Sequence, residues 1–237
     1  MQYQWIDGIM LFIKLMEVFI LKKNFEYILF DLDGTLTDSG EGITKAVQYA
    51  LKYFGIEVSN LDDLRKFVGP PLKESYKNFY GFDDEKADLG LVKFREYYIE
   101  KGIYENKMYS GISEVLEKLQ KSNKKIIVAT SKPEEHAKIV LNHFKIDKYF
   151  DFICGADFKE TRVKKGDVIK YALEEAKITD LSKAIMVGDR EHDIIGAKEN
   201  NLKSVGVLYG YGDVVELTQA RVDYIAKEPK DLLEILL

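Results

Sequence analysis

Short apolar runs alternate along this chain with stretches whose apolar residues recur every three or four positions. Tyr27-Ile-Leu-Phe-Asp31 is the first run and ends in an acid. Lys125-Ile-Ile-Val-Ala129 ends at Thr130-Ser131, and Ala184-Ile-Met-Val187 ends at Gly188-Asp189. Ser204-Val-Gly-Val-Leu208 ends at a glycine-rich stretch, and Tyr149 to Ile153 is a weaker run. Between them lie helical stripes: Ile112, Val115, Leu116 and Leu119; then Ala137, Val140, Leu141 and Phe144, after Pro133 at a first helical position; then Ile169, Ala172, Leu173 and Ala176. Short strands separated by helices predict a parallel sheet covered on both faces.

One region breaks the alternation. From Ser39 to Lys107 no convincing strand is visible, only helical stripes. Ile43, Ala46, Val47, Ala50, Leu51 and Phe54 keep helical spacing for three turns, and Gly55 supplies a stop. Leu61, Leu64, Phe67 and Val68 form a second stripe, ended by Gly69-Pro70-Pro71, and helices are expected over Leu72–Tyr80 and Asp84–Lys101. About seventy residues exceed an ordinary crossover, since a whole βαβ unit runs to roughly 30. The reading is an α/β fold, a Rossmann-like doubly wound parallel sheet core (25–38 and 108–237) with an inserted small α-helical domain (39–107). Residues 1–24 form an N-terminal extension of open role. Its apolar run, Ile9 to Leu21, carries Lys14 and Glu17 and is shorter than the roughly 20 residues of a membrane span. The start also lacks the basic character of a signal peptide. A helix docked on the body, and a true start at Met10 or Met16, both stay open.

Composition narrows the chemistry. Apolar residues are 46% and charged residues 32%, which excludes disorder and collagen-like structure. Lys plus Arg number 35 against 40 Asp plus Glu, for a formal net charge of -5, and this argues against a nucleic-acid partner. One cysteine, Cys154, excludes an intrachain disulfide and a cysteine-built zinc site. Three histidines make a histidine-rich metal site a poor reading. Carboxylates remain, and oxygen ligands suit hard cations such as Mg2+. The expected setting is cytoplasmic, away from membranes, for a monomer or homodimer.

Sites in parallel α/β sheets form outside the carboxyl ends of the strands. Three of the expected strands end in reactive groups: Asp31 and Asp33, Thr130 and Ser131, and Asp189. One acid after a strand is commonly a turn former or a helix cap. Three such ends, with Gly34 and Gly188 allowing close backbone approach, point to one site. Asp31 and Asp33 in extended backbone share a side, and their repulsion favours a bound cation or a shared proton. Asp31 suits nucleophilic attack and Asp33 suits proton transfer. Thr35 and Thr130 offer hydroxyl donors. Asp193, one helical turn after Asp189, can face the same centre.

Asp31-Leu-Asp33-Gly34-Thr35-Leu36-Thr37 resembles the first motif of the haloacid dehalogenase superfamily. Thr130-Ser131-Lys132 resembles its second, Lys165 its third, and Gly188-Asp189-Arg-Glu-His-Asp193 its fourth. The similarity covers about residues 25–237 and is nearest the phosphoglycolate phosphatase-like branch, which carries a helical cap after the first motif. The resemblance implies a nucleophilic Asp31 that forms an aspartyl-phosphate and an acid–base Asp33. It implies Mg2+ held by Asp31, Asp189 and the backbone carbonyl of Asp33, with support from Asp193. Thr130, Ser131 and Lys165 would hold the phosphoryl group, Ser131 through its backbone N–H. Lys164 neighbours Lys165, so the third motif is ambiguous by one residue, and helix spacing favours Lys165.

Other singled-out residues have plainer readings. His192 is expected to be a partly exposed helix residue. His136 and His143 are expected on a helix away from the strand ends. Cys154 reads as a small core residue, and Gly210-Tyr-Gly212 as a turn after the last strand. The implied activity is a Mg2+-dependent phosphatase acting on a small phosphorylated metabolite: phosphoglycolate, a nucleoside monophosphate or a sugar phosphate. A phosphomutase of the β-phosphoglucomutase type and a pyrophosphatase are the enzymatic alternatives. A non-catalytic phosphate sensor would be expected to lack Asp31 or Asp33. The Phe67–Leu72 loop, preceded by Arg65 and Lys66, is expected to face the site, which makes Arg65, Gly69 and Lys132 candidate substrate-binding residues.

Overall fold

The computed structural model describes residues 25–157 and 161–237. The chain enters through β1 (Tyr27–Phe30) and passes by the short β2 (Thr37–Asp38) into helices α1 (Gly40–Tyr53), α2 (Leu72–Tyr80) and α3 (Asp84–Tyr97). It returns through β3 (Lys107–Met108). There follow α4 (Ile112–Lys121), β4 (Lys125–Pro133), α5 (Glu134–His143), β5 (Phe152–Ala156), α6 (Lys165–Glu175) and β6 (Ala184–Gly188). The chain ends with α7 (Glu191–Glu199), β7 (Lys203–Val207), α8 (Val214–Gln219), β8 (Tyr224–Ala226) and α9 (Asp231–Leu236).

Six strands form one parallel sheet in the order β5-β4-β1-β6-β7-β8. β1 is central, with Tyr27 in register with Lys125 of β4 and Ala184 of β6. The chain winds outward from β1 in both directions, so a crevice opens where β4, β1 and β6 end. Period-two alternation sends the strand side chains into two apolar layers. Leu29, Ile127, Ala129 and Met186 pack with Val168, Ile169 and Ala172 of α6 and Ala197 of α7. Ile28, Phe30, Ile126, Val128 and Val187 pack on the opposite face with α4, α5 and α9. Both faces are covered, which is why these strands read as unbroken apolar runs. The doubly wound α/β expectation is met.

Several boundaries differ from the sequence reading. The weak run at Tyr149 to Ile153 becomes a strand only at Phe152, because Asp147–Tyr149 closes a 3-10 turn. The Asp151 carboxylate then accepts from the backbone N–H of Ile126 at 3.0 Å. β4 continues past Ala129 to Pro133, with a register shift between Thr130 and Pro133. β8, of three residues, is too short to carry a periodic signal. Leu61–Phe67 is a 3-10 helix. The expected helix Asp84–Lys101 is α3 followed by a π-helical turn at Tyr98–Gly102.

The helical block is joined to the sheet by a two-stranded antiparallel ribbon, with Thr37 opposite Met108 and Asp38 opposite Lys107. Two-residue strands fall below what sequence periodicity can reveal. The N-terminal extension expected over 1–24 lies outside the described residues, as do its docked-helix, shifted-start and export readings. Among the described residues no helix is long and apolar enough to cross a membrane.

Within the block, α1 crosses the π-helical turn at backbone contact. A Cβ on Gly42 would lie 1.9 Å from the Gly102 carbonyl oxygen, and the Gly42 N–H donates to the Glu105 carbonyl at 3.0 Å. Gly42→Ala must therefore force backbone apart. It is expected to destabilise the chain by about 1–3 kcal/mol, the usual range for overpacking. Denaturant unfolding followed by circular dichroism checks this, and an unchanged midpoint would show that the crossing is loose.

Candidate active site

The site grows from the end of β1. The Asp31 N–H still donates to Val187 at 2.9 Å, which holds this residue in the plane of the sheet. The chain then turns sharply around one carbonyl, Leu32, which accepts from Thr35, Leu36 and Thr37 at 3.3, 2.9 and 3.0 Å. Gly34 takes a φ of +86°, and a Cβ there would lie 2.2 Å from Asp189 Oδ2. Glycine is thus required both by conformation and by the carboxylate packed against it.

Asp31, Asp189 and Asp193 each bring one carboxylate oxygen within 4.8 Å of the other two. All three are buried. The Lys165 ammonium lies 2.8 Å from Asp31 Oδ1 and 2.8 Å from Asp193 Oδ1, and donates to the Ala129 carbonyl at 3.1 Å. Asp189 Oδ2 accepts from the Tyr211 N–H at 2.8 Å, and its Oδ1 from Thr35 Oγ1 at 3.3 Å. Asp193 Oδ2 accepts from the Arg190 N–H at 3.1 Å.

One cation among three buried acids leaves negative charge in excess. Burial pushes the Asp31 carboxyl up to about 6, Lys165 pulls it back, and Asp193 and Asp33 add to the rise. Asp189 is raised well above the ordinary carboxylate value by burial, then by Asp193 and Asp31. Burial works against the charge of Lys165, but Asp193 and Asp31 outweigh it and hold it protonated. Hard oxygen donors, buried and under-neutralised, fit a divalent cation such as Mg2+.

Asp33 lies outside this cluster. Its Oδ2 accepts from Lys132 Nζ at 2.7 Å, and its buried Oδ1 has no hydrogen-bond partner among the described residues. Lys132 is itself buried and sits 5.0 Å above the Tyr98 ring centroid. Thr130 Oγ1 accepts from the Lys132 N–H at 3.2 Å. A cavity of about 380 Å³ joins these groups to the helical block. Asp31, Asp33, Thr130, Ser131 and Lys132 line one side, and Phe67, Gly69, Leu91, Phe94 and Tyr98 line the other.

The structure thus brings together Asp31, Asp33, Thr130, Ser131, Lys132 and Gly69 on one cavity, with Asp189, Asp193 and Lys165 at the Asp31 carboxylate. Lys165 is not part of the cavity wall, whereas the exposed Lys164 is. Arg65 is a correction. The 3-10 helix turns Leu64 and Phe67 inward and leaves Arg65 exposed, bonded to Asp62 at 2.8 Å and off the cavity. His136 is a second correction, since it is buried and lines the cavity. Its expected distance from the strand ends fails because β4 runs on to Pro133, directly before α5. His192 is half-buried and Cys154 is buried.

The sequence reading missed two supports. The Gly210-Tyr-Gly212 turn follows β7 and packs onto Asp189. A Cβ would lie 2.4 Å from Asp189 Cβ at Gly210 and 2.0 Å from the Asp189 carbonyl at Gly212. Tyr211 also donates from its hydroxyl to Asp38 Oδ1 at 2.5 Å, tying the turn to the ribbon. Two glycines flanking a tyrosine were the available signal. Arg190 is the other support. Its Nη1 donates to the Val68 carbonyl at 2.9 Å and its Nε to Glu216 at 2.7 Å, bridging the β6 end to the helical block.

With that geometry established, comparison with known proteins is direct. Residues 28–207 match the family model described as haloacid dehalogenase-like hydrolase. A Pseudomonas aeruginosa protein named 5'-nucleotidase is 39% identical over 88% of this chain and 94% of its own length. The Mycobacterium tuberculosis Tyrosine-protein kinase PtkA is 36% identical over 89% of this chain and 72% of its own. The Aquifex aeolicus phosphoglycolate phosphatase is 32% identical over 88% of this chain and 95% of its own. Among solved structures, that of a predicted phosphatase from Clostridium acetobutylicum shares 48% identity with a TM-score of 0.87, covering 89% of this chain and 97% of that one.

The raised Asp31 carboxyl has a consequence for stability. Between the ordinary value of 3.8 and about 6, the folded chain keeps a proton on Asp31 that the unfolded chain releases. Stability from this group therefore falls as pH rises through that window. In chelator, Asp31→Asn is expected to gain on the wild type between about pH 4 and pH 6. Mg2+ at neutral pH should then stabilise the wild type more than the variant. Chemical unfolding across that pH range in chelator checks the first and unfolding at neutral pH with and without Mg2+ the second, and a pH-independent difference in chelator would mean that Asp31 is not buried among unneutralised acids.

Proposed function

The chain belongs to the haloacid dehalogenase-like hydrolases, and from that premise we propose that it hydrolyses small phosphomonoesters through an aspartyl-phosphate, with Mg2+ bound at the carboxylate cluster. It is a hydrolase acting on phosphate esters. The observation that carries the finer reading is the pair at the end of β1. Asp31 joins the buried cluster, while Asp33, two residues on, faces the same cavity with one oxygen unpartnered.

In this reading the Asp31 carboxylate attacks phosphorus. The new bond joins Asp31 Oδ to phosphorus, and the ester P–O bond breaks. The leaving oxygen takes a proton from Asp33. Asp33 then takes a proton from water as that water attacks the acyl-phosphate, which frees orthophosphate and restores both acids. Thr130, through its hydroxyl, and Ser131, through its backbone N–H, orient the phosphoryl oxygens. Lys165 fixes Asp31 and limits its charge. Asp31, Asp189, Asp193 and the Asp33 carbonyl would hold Mg2+, whose charge offsets that of the phosphoryl group. The block at 39–107 serves as a cap that covers the leaving group and excludes water. A single buried cysteine suits a reducing, cytoplasmic setting.

Asp31→Asn is expected to lose more than about a thousandfold in turnover of p-nitrophenyl phosphate with Mg2+, because an amide cannot attack as an anion. Circular dichroism should show it folded, and turnover within about tenfold of wild type would sink the nucleophile role. Asp33→Asn should behave differently. Its loss in single-turnover phosphorylation should be small for p-nitrophenyl phosphate and about 10²–10⁴ for an alkyl phosphate, whose leaving group needs the proton. Equal losses on the two esters would remove Asp33 from acid–base chemistry.

A further inference from the structure

The cavity has two chemically distinct ends. Asp31, Asp33, Thr130, Ser131 and Lys132 form the polar end. Phe67, Pro70, Pro71, Leu72, Leu91 and Phe94 form the other, all from the helical block. Tyr98 marks the seam, with the Lys132 ammonium over its ring at 5.0 Å. We propose that this chain selects phosphate monoesters whose leaving alcohol carries a flat apolar ring, and that Phe94, Leu91 and the Phe67–Leu72 loop are its specificity-determining residues. This rests on the phosphatase reading above, which assigns the phosphate to the polar end.

The apolar wall is already built. Phe94 stacks on Tyr98 with centroids 5.0 Å apart and planes at 18°. Phe67 is held against Tyr76, Phe79 and Tyr80 at 5.2, 5.3 and 6.0 Å. Aromatic side chains fixed by their neighbours lose little freedom on binding, so a flat ring meets a preorganised face. The cavity, about 380 Å³, falls within the roughly 300–1,000 Å³ of sites for larger organic ligands. A two-carbon leaving group would leave much of that wall without a partner.

Charge points the same way. An ionised carboxylate moved onto an apolar wall must find a cation there. Lys73, the lysine at that end, is bonded to Asp88 at 2.6 Å, with Glu74 beside it in the chain. Arg95 also lines the cavity, from the helix that carries Leu91 and Phe94. Burial first, then the charges of Lys132 and Arg95, press the His136 imidazole down to about 4. Asp157 and the exposed Lys164 both line the cavity, one charge of each sign. A leaving group that is apolar and uncharged suits this arrangement better than a small acid.

The test compares benzyl phosphate with n-propyl phosphate and 2-phosphoglycolate on the full chain with Mg2+. The first two have leaving alcohols of similar basicity, so chemistry is matched and the ring is the variable. The wild type should prefer benzyl over n-propyl phosphate by about tenfold or more in kcat/KM. Phe94→Ala should lose about ten- to a hundredfold on benzyl phosphate and stay within about threefold on n-propyl phosphate, with Phe94→Leu recovering part of the loss. Leu91→Asn, at a half-buried position, gives the same comparison should truncation of Phe94 unsettle the block. Equal rates on benzyl and n-propyl phosphate would overturn this inference and leave the phosphatase reading standing. So would a preference for 2-phosphoglycolate that Arg95→Ala abolishes. Failure to turn over any of the three, or p-nitrophenyl phosphate, would overturn both.

Discussion

Three buried carboxylates, two of them sharing one lysine, are the constraint around which the site is arranged. Asp31, Asp189 and Asp193 come from two adjacent strand ends and the helix after one of them, and Lys165 from the first residue of α6. Their mutual repulsion could be relieved by separation, but the fold forbids it. The Asp31 N–H is hydrogen-bonded into the sheet, and the Tyr211 and Arg190 N–H groups hold the other two acids. Charge that cannot spread must be neutralised, and one ammonium offsets only part of it. The fold thus stores an electrostatic deficit that favours cations, and this is the condition a divalent ion and a phosphoryl group together can use.

Holding acids so closely requires the backbone to approach them without side chains in the way. Gly34, Gly210 and Gly212 all abut Asp189, from the first-strand turn and from the turn after β7. Tyr211 then links that second turn to Asp38 in the ribbon that carries the helical block. The carboxylate cluster and the connection to the block are therefore parts of one hydrogen-bonded unit. The close approach to Asp189 is made by glycines whose replacement would act on charge positions before it acted on the core.

The central sheet and the carboxylates were legible because each leaves a strong local mark. A doubly covered parallel strand must be apolar along its covered length, and Tyr27 to Phe30, Ile126 to Ala129 and Ala184 to Val187 are so. Reactive groups at the strand ends then stand out against those runs. What stayed hidden lacks such a mark. β2 and β3 are two residues each, and β8 has three. The Leu61–Phe67 segment has the apolar spacing of an α-helix but closes as a 3-10 helix, which turned Arg65 away from the cavity. His136, Phe94 and Tyr98 read as ordinary helix residues. Only the meeting of α5, the π-helical turn and β4 gives them a common cavity, and that meeting is a tertiary fact.

Arg190 shows how the two ends of that cavity are made to cooperate. It stands between Asp189 and Asp193 in sequence, and its backbone N–H holds Asp193 while its guanidinium reaches Val68 and Glu216. Val68 precedes Gly69, Pro70 and Pro71, which line the apolar end, and Gly69 adopts a φ of +103° with Arg190 at its back. Arg190 therefore touches both the end of β6 and the loop that lines the apolar end. Two prolines, Pro70 and Pro71, restrict the backbone of that loop. The β6 end and the loop of the apolar end are thus joined by one side chain whose planar donor fork grips both partners. An arginine suits this place better than a lysine, since a single ammonium could not meet a carbonyl on one side and a carboxylate on the other with the same geometric control.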